Sequence, residues 1–306
     1  MAGFFMAAYN KQPKTFADQL ALLKQRGLVV ADDAVVLQAL QHCNYYRLRA
    51  YWLPFEVTPP PAQGQHAFVP GTTLETVLVH YEFDRKLRAL VLDALERVEV
   101  SFRTSWAYNI AHAAGAHGHL EQRLYRDAQR HASDCAALMT TVNDSKETFV
   151  RHYLRTYNTP AHPPIWAACE ILTFGELSRW YDNLNEPTIR IAIAQQFGLH
   201  EVVFTSVIHH LSYVRNVCAH HSRLWNRAMT IKMQLPRSPG VLWGSLEPAM
   251  PDRLYNTLAV LAFLVDRISP GCGWKQRLID HVNANPGINL RAMGFPLAWT
   301  ARAIWR

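Results

Sequence analysis

Residues Leu74 to His112 have the sequence LETVLVHYEFDRKLRALVLDALERVEVSFRTSWAYNIAH, the longest periodic stretch of the chain. Apolar side chains recur in its middle at three- and four-residue spacing, at Leu87, Leu90, Val91, Ala94, Leu95 and Val98. That spacing places them on one face of a helix, and charged residues fill many of the other positions. The stretch therefore predicts one long amphipathic helix.

The rest of the chain has the same helical character. Thr15 can cap a first helix that Gly27 ends, and Asp32 precedes a second. In a later helix, Trp166 and Phe174 are expected to pack inward. Further helices are predicted at about 119–142, 145–157, 164–183, 187–197, 200–219, 252–268, 273–284 and 296–305. Because no stretch alternates apolar and polar residues as a strand does, the predicted fold class is all-α.

The composition is that of a folded protein. Of 306 residues 49% are hydrophobic, which is enough for a large core, and the net charge of +7 favours an anionic partner without specifying it. The five cysteines include no C-x-x-C pair, which favours reduced thiols over disulfides or a zinc site. Because no secretion signal and no apolar run of about 18 residues is present, a cytoplasmic protein without a membrane span is predicted.

The most informative short stretch is LSYVRNVCAHHSRLWNR, from Leu211 to Arg227, at the end of an apolar helix. Asn216 and His220 are four residues apart, so a helix presents them on one face. Arg215 lies about 100° further round, but its side chain is long enough to fold back towards that face. The pattern predicts that a guanidinium, an amide and an imidazole can reach one anionic group.

These three groups suit cleavage of RNA without a metal. An imidazole can transfer protons near neutral pH, and a guanidinium can bind a phosphate and stabilise its added charge. The nucleophile would be the 2′-hydroxyl of the RNA itself, leaving a 2′,3′-cyclic phosphate and a 5′-hydroxyl. The alternative is structural, with Arg215, His220 and His221 ending a helix favourably. On spacing alone, the structural alternative is the stronger of the two.

A resemblance changes this balance. The stretch RNVCAHHSRLWNR resembles the signature of the AbiF/AbiD abortive-infection family. Asn44 to Phe55 (NYYRLRAYWLPF), Tyr81 to Tyr108, and Pro163 to Leu184 are similar to the same family, in the same order. The resemblance extends over roughly residues 15–232, and the last quarter of the chain adds little to it.

The family is similar to HEPN-domain proteins, helical bundles whose nuclease members carry an Arg-x4-6-His motif. The resemblance implies a HEPN-like core at 71–235, with a helical element and Pro-rich loop at 1–70 and a helical extension at 236–306, together one compact unit. It assigns Arg215, Asn216 and His220 as catalytic residues. Because two motifs usually meet in one cleft, it also implies a homodimer with a composite site.

The implied function is an anti-phage endoribonuclease toxin. The alternative, also implied by the family, is a defence protein that binds a small non-coding RNA without cutting it. Both hypotheses make RNA the partner, and neither calls for a metal or another cofactor. A membrane-acting protein is disfavoured because no spanning segment is predicted.

Further residues are candidates with open alternatives. His221 also satisfies the motif spacing and ranks second to His220. Glu99 or Arg103 could orient His220, or could belong to a solvated helix face. Arg223 and Arg227 could bind phosphates or pair with carboxylates. In the aromatic stretch after Asn44, packing is the main expectation, and the best RNA-binding candidate there is Arg47.

Overall fold

Helices make up the regular structure of the computed structural model, which describes residues 12–58 and 66–306. In these residues there are thirteen α-helices, three isolated β-bridges and no strand, so the all-α prediction is confirmed. The helices are α1 (Phe16–Gln25), α2 (Asp33–Cys43), α3 (Tyr45–Trp52), α4 (Leu74–Ala114), α5 (Ala128–Asp144), α6 (Thr148–Thr156), α7 (Ile165–Ile171), α8 (Phe174–Asn183), α9 (Pro187–Gln196), α10 (Glu201–Ala219), α11 (Gly240–Trp243), α12 (Leu254–Ile268) and α13 (Trp274–Asn283).

The chain divides into two compact units, one up to Asp84 and one from Arg85 onward, so the division falls inside α4. The boundaries predicted from sequence, near residues 70 and 235, stay a prediction. In the first unit Thr15 and Asp18 form a capping box at the start of α1. After this helix Gly27 adopts a φ of 89°, a left-handed conformation that glycine takes without strain.

The first unit is built around the aromatic residues of α3. Tyr51 and Trp52 are buried, as expected for packing residues. The Tyr51 hydroxyl donates a 2.6 Å hydrogen bond to the Asp84 carboxylate, which is buried as well. Tyr46, on the same helix, is 71% exposed. The aromatic stretch therefore has both a packing face and a face open to solvent.

The core of the second unit centres on Phe102 of α4. Its ring makes edge contacts with four other buried rings, those of Phe174, Tyr181, Phe197 and Phe204. In α12 every residue from Leu254 to Val265 is buried. A helix that is apolar on all sides belongs in a core, and α12 has that position here.

The predicted helix at 164–183 is wrong as a single element. It breaks into α7 and α8, because Thr173 and Glu176 form a capping box that starts a new helix at Phe174. Phe174 is buried as expected, but Trp166 is 56% exposed. The predicted last helix at 296–305 consists of short 3₁₀ turns instead.

No single helix in the described parts of the chain is long and apolar enough to cross a bilayer. The pair α9 and α10 meets the length and composition criteria only when taken together, and the two helices are bent by 64° at the break between them.

A cluster of imidazoles includes His117 and His119, which lie in the connection between α4 and α5. The His119 ring is completely buried, and its centroid lies within 6.5 Å of the rings of Trp106, His117, His162 and Trp180. Neither of its ring nitrogens has a hydrogen-bond partner among the described residues. Burial, followed by the neighbouring imidazoles, lowers the pKa of His119 to about 3.

This depressed pKa makes the fold sensitive to acid. Below the unfolded-state pKa of about 6.5 the unfolded chain binds a proton at His119, whereas the folded chain resists it until the pH nears 3. The free energy of unfolding should therefore decrease as the pH is lowered from about 6.5 to about 3. Between pH 6 and 4, His119 should contribute about 1.4 kcal/mol per pH unit to the slope of the free energy of unfolding against pH. His119→Gln should remove this contribution, as measured by urea titrations.

The matched control is His152→Gln, which replaces an exposed histidine on α6. It should leave the slope unchanged. An unaltered slope in His119→Gln would show that the buried imidazole takes up its proton in the folded state as easily as in the unfolded chain.

Candidate site at the end of α10

The polar face of α10 carries the candidate residues. Its inner face is buried through apolar residues such as Phe204, Leu211 and Val214. The outer face follows alternating spacings of four and three residues, which keep one stripe on one side of a helix. Its members are Val202, Ser206, His209, Tyr213, Asn216 and His220, each exposed or half-buried. Asn216 and His220 therefore share a line along the helix, as their spacing predicts.

The helix ends in a hydrogen-bonded turn directly after His220. The backbone N–H of His220 still donates to the Asn216 carbonyl at 3.0 Å, so His220 keeps its place one turn beyond Asn216. His221 then adopts a φ of 55°. The N–H groups of His221 and Ser222 donate to the carbonyls of Cys218 and Val217, at 3.0 and 2.9 Å. This is a Schellman motif with histidine where glycine is usual.

This turn separates the two candidate histidines. His220 is the C-cap residue at the end of α10. His221 follows it with a left-handed backbone conformation, which the Schellman turn requires at this position. The imidazole of His220 is exposed, and it makes no hydrogen bond to any described residue. The geometry therefore favours His220 over His221 as the motif histidine.

The Arg215 side chain is anchored from the neighbouring helix α4. Its Nε lies 3.7 Å from Oε2 of Glu99, and its Nη1 lies 3.5 Å from Oδ1 of Asn216, a weak hydrogen bond at most. The guanidinium is 37% exposed, whereas Glu99 is only 13% exposed. Arg215 is thus held at one edge, with donors left over for an external anion.

Glu99 is shared between two guanidinium groups. Arg103, one turn further along α4, donates through Nη2 to Oε1 of Glu99 and through Nη1 to the carbonyl of Cys169. The side chain of Arg103 is only 11% exposed, and a buried charge of this kind requires such partners. Arg103 and Glu99 neutralise each other, so the cluster retains the positive charge of Arg215.

The two predicted accessory residues thus lie together with Arg215, one of the three predicted catalytic residues. Glu99 and Arg103 were expected to orient His220. In the described residues Glu99 contacts Arg215 instead, and neither accessory residue hydrogen bonds to His220. The structure assigns these two residues a position behind the guanidinium of the candidate site.

Comparison with known proteins identifies the family. The sequence model described as Abi-like protein matches residues 38–226, more than half of the chain and including the end of α10. The chain belongs to the Abi-like protein family. Membership indicates a role in abortive infection. No curated protein and no solved structure matches the chain.

In this Abi-like protein the segment after the motif folds back along α10. Arg227 Nε donates to the Tyr213 hydroxyl at 3.0 Å, and the N–H of Gln234 donates to Ser206 Oγ at 2.8 Å. Between them, His210 Nδ1 lies 2.6 Å from the Ile231 carbonyl. We call residues 227–234 the return segment. It fixes the flank of the helix that carries Asn216 and His220.

Two side chains of α10 that contact the return segment have shifted pKa values. Burial raises the pKa of Tyr213, but hydrogen bonds from Thr230 and Arg227 outweigh it, so the net pKa is lowered. His210 is buried, with Nε2 2.8 Å from the Thr257 hydroxyl, and burial lowers its pKa to about 4. His210 is therefore a neutral packing residue, whereas its neighbour His209 is exposed.

The predicted RNA-binding arginines have different surroundings. Arg227 contacts Tyr213 and also donates to the Arg223 carbonyl at 3.1 Å, which gives it a structural role. The guanidinium of Arg223 lies 5.8 Å from the centre of the Trp225 ring. Arg47 is exposed on α3 in the first unit. RNA binding by these three residues stays a prediction.

Tyr213 is the site neighbour that sequence reasoning missed. A usable signal was present, because Tyr213, Asn216 and His220 follow the three-plus-four spacing of one helix face.

In residues 12–58 and 66–306, no three His, Cys, Asp or Glu side chains cluster in an arrangement that could hold a metal ion.

Replacing Glu99 should destabilise the protein through Arg103. Glu99→Gln leaves the largely buried guanidinium without its countercharge, which should lower the free energy of unfolding by about 2–3 kcal/mol. Denaturant titration measures this loss. Glu96→Gln, at an exposed position on the same helix, should change stability by less than about 0.5 kcal/mol. Equal effects of the two substitutions would contradict the assigned role of Glu99.

Replacing His221 separates backbone from side-chain roles. Since glycine adopts a positive φ without strain, the free energy of unfolding of His221→Gly should exceed that of His221→Ala by up to about 1 kcal/mol. If His220 is the motif histidine, activity should also survive this change. His221→Ala, which keeps a Cβ at the strained position, is the control and should be less stable than His221→Gly. A stable but inactive His221→Gly protein would assign the function to His221.

Proposed function

We propose that this Abi-like protein is a metal-independent endoribonuclease of anti-phage defence with a HEPN-like site. The single observation that carries the proposal is the placement of Arg215 by Glu99 directly beside Asn216, one turn before an exposed His220. A guanidinium with spare donors and an accessible imidazole are two of the groups that phosphodiester cleavage uses.

The proposed reaction uses the 2′-hydroxyl of the RNA as nucleophile. An imidazole accepts the 2′ proton as the oxygen attacks phosphorus, and the bond from phosphorus to the 5′ oxygen breaks. A second proton donor supplies the leaving oxygen with its proton. The products are a 2′,3′-cyclic phosphate and a 5′-hydroxyl. Arg215 binds the phosphate and stabilises its charge, and Asn216 orients the phosphate or the imidazole.

The need for both a base and an acid supports a homodimer. Each chain supplies one His220, so two copies would bring two imidazoles and two guanidiniums to one composite cleft. The net charge of +7 agrees with an anionic substrate. A cytoplasmic location is part of the same proposal, since phage and host transcripts are found there.

The test is cleavage of end-labelled RNA by the purified protein in the presence of EDTA. Wild-type protein should produce cyclic-phosphate ends, and His220→Ala and Arg215→Ala should each lower the rate at least about 100-fold. His209→Ala removes another exposed imidazole from the same face of α10 and should change the rate less than twofold. Filter binding should show that His220→Ala still binds the RNA.

Two outcomes would overturn the proposal. If wild-type protein cuts no RNA while His220→Ala still protects cells from phage, the protein acts as a non-cleaving RNA-binding defence factor. If EDTA abolishes cleavage, a metal supplies the chemistry assigned here to the side chains.

A further inference from the structure

The first unit contains a cleft that the proposed cleavage chemistry does not use. It has a volume of about 880 Å³ and lies between α1, the residues that precede α1, and the start of α3. Its lining is rich in basic and aromatic side chains, among them Lys14, Arg26, Tyr45, Tyr46, Arg49 and His66. The cleft is built entirely from residues of the first unit.

Two guanidinium groups line the cleft, and each makes one polar contact with a side chain of the described residues. Arg26 donates from Nη1 to the Tyr45 hydroxyl at 2.7 Å. Arg49 Nη2 lies 3.3 Å from Nε2 of His66, and the other nitrogen of that ring lies 2.9 Å from the Glu56 carboxylate. The Nε of Arg49 is buried and has no hydrogen-bond partner among the described residues. Both arginines keep donors for an anion.

The negative charge in the lining is already engaged. Asp18 lines the cleft, but its carboxylate accepts hydrogen bonds from the backbone and hydroxyl of Thr15 in the capping box of α1. Those bonds lower the pKa of Asp18, so it stays ionised at neutral pH. Lys14 and the two arginines outnumber it, so the cleft has a net positive charge.

Tyr46 adds an exposed aromatic surface at the same place. Its backbone N–H is fixed by the Asn44 side chain at 2.8 Å, and its ring meets Tyr45 edge-on at 6.3 Å. The ring is nevertheless 71% exposed, whereas on the same helix Tyr51 and Trp52 are buried and Tyr45 is half-buried. An anchored but exposed ring beside free guanidinium donors is a surface on which a base can stack while its phosphate is bound.

We propose that this cleft binds one nucleotide of a single-stranded RNA, with the base on Tyr46 and the phosphate on Arg26 and Arg49. Arg47 lies two residues from Arg49, about 200° round the helix, and does not line the cleft. Binding here involves none of Arg215, Asn216 and His220, so it can hold or fail independently of cleavage.

The experiment measures the affinity of the full chain for a fluorescently labelled RNA of six uridines. It uses both the wild-type protein and the His220→Ala variant. Tyr46→Ala should weaken binding by about 5- to 100-fold, the usual cost of losing one stacked base. Arg49→Ala should weaken it by about tenfold and reduce the slope of log affinity against log salt by about one. Because Tyr46 is exposed, its variant should keep the wild-type melting temperature.

The matched controls are Arg47→Ala and Tyr157→Ala, which remove an exposed arginine of α3 and an exposed tyrosine of the second unit. Each should change affinity less than twofold. Uridine monophosphate, tested alone, distinguishes a free nucleotide from an RNA chain. Binding of the monophosphate as tight as that of the RNA, with the same loss in Tyr46→Ala, would assign the cleft to a free nucleotide.

The proposal is overturned if Tyr46→Ala and Arg49→Ala bind both probes as wild type does, or if Arg47→Ala has the larger effect. Failure of the cleavage proposal gives a different pattern. In that case no RNA is cut, while the Tyr46 and Arg49 variants still lose affinity.

Discussion

The candidate site depends on one carboxylate, that of Glu99, lying between two guanidiniums. Arg103 is too buried to remain charged without a counterion, and Glu99 supplies it. The second oxygen of Glu99 then faces Arg215, the part of the cluster closest to solvent. The pairing that stabilises α4 therefore also positions the motif arginine, so the stability of the fold and the geometry of the candidate site depend on the same side chain.

Two further features fix the positions of Asn216 and His220 on α10. The Schellman turn at His221 ends the helix at His220, the C-cap residue, whose N–H still bonds to the Asn216 carbonyl, so His220 lies one turn beyond Asn216. The return segment binds Tyr213, His210 and Ser206 on the flank of the helix. Because α10 is bound at its end and along one flank, the orientation of its exposed polar face is fixed.

Sequence periodicity was sufficient for most of the helices and for the shared face of Asn216 and His220, because both follow from the geometry of one helix. It was not sufficient for the contact between Glu99 and Arg215, which joins residues 116 positions apart. Nothing in a spacing pattern indicates which face of α4 meets which face of α10. The break at Thr173 was accessible in principle, since the capping pair with Glu176 is local, but the apolar residues on both sides concealed it.

The contacts of the return segment limit how short a fragment of this chain can be and still fold. The family match ends at residue 226, yet the two ring nitrogens of His210 are satisfied by Ile231 and Thr257, and Tyr213 is held by Arg227 and Thr230. A fragment cut at the edge of the match would leave a buried imidazole with neither partner and would lose α12, which is buried from Leu254 to Val265. The region by which the family is recognised is thus smaller than the cooperative unit that keeps it folded.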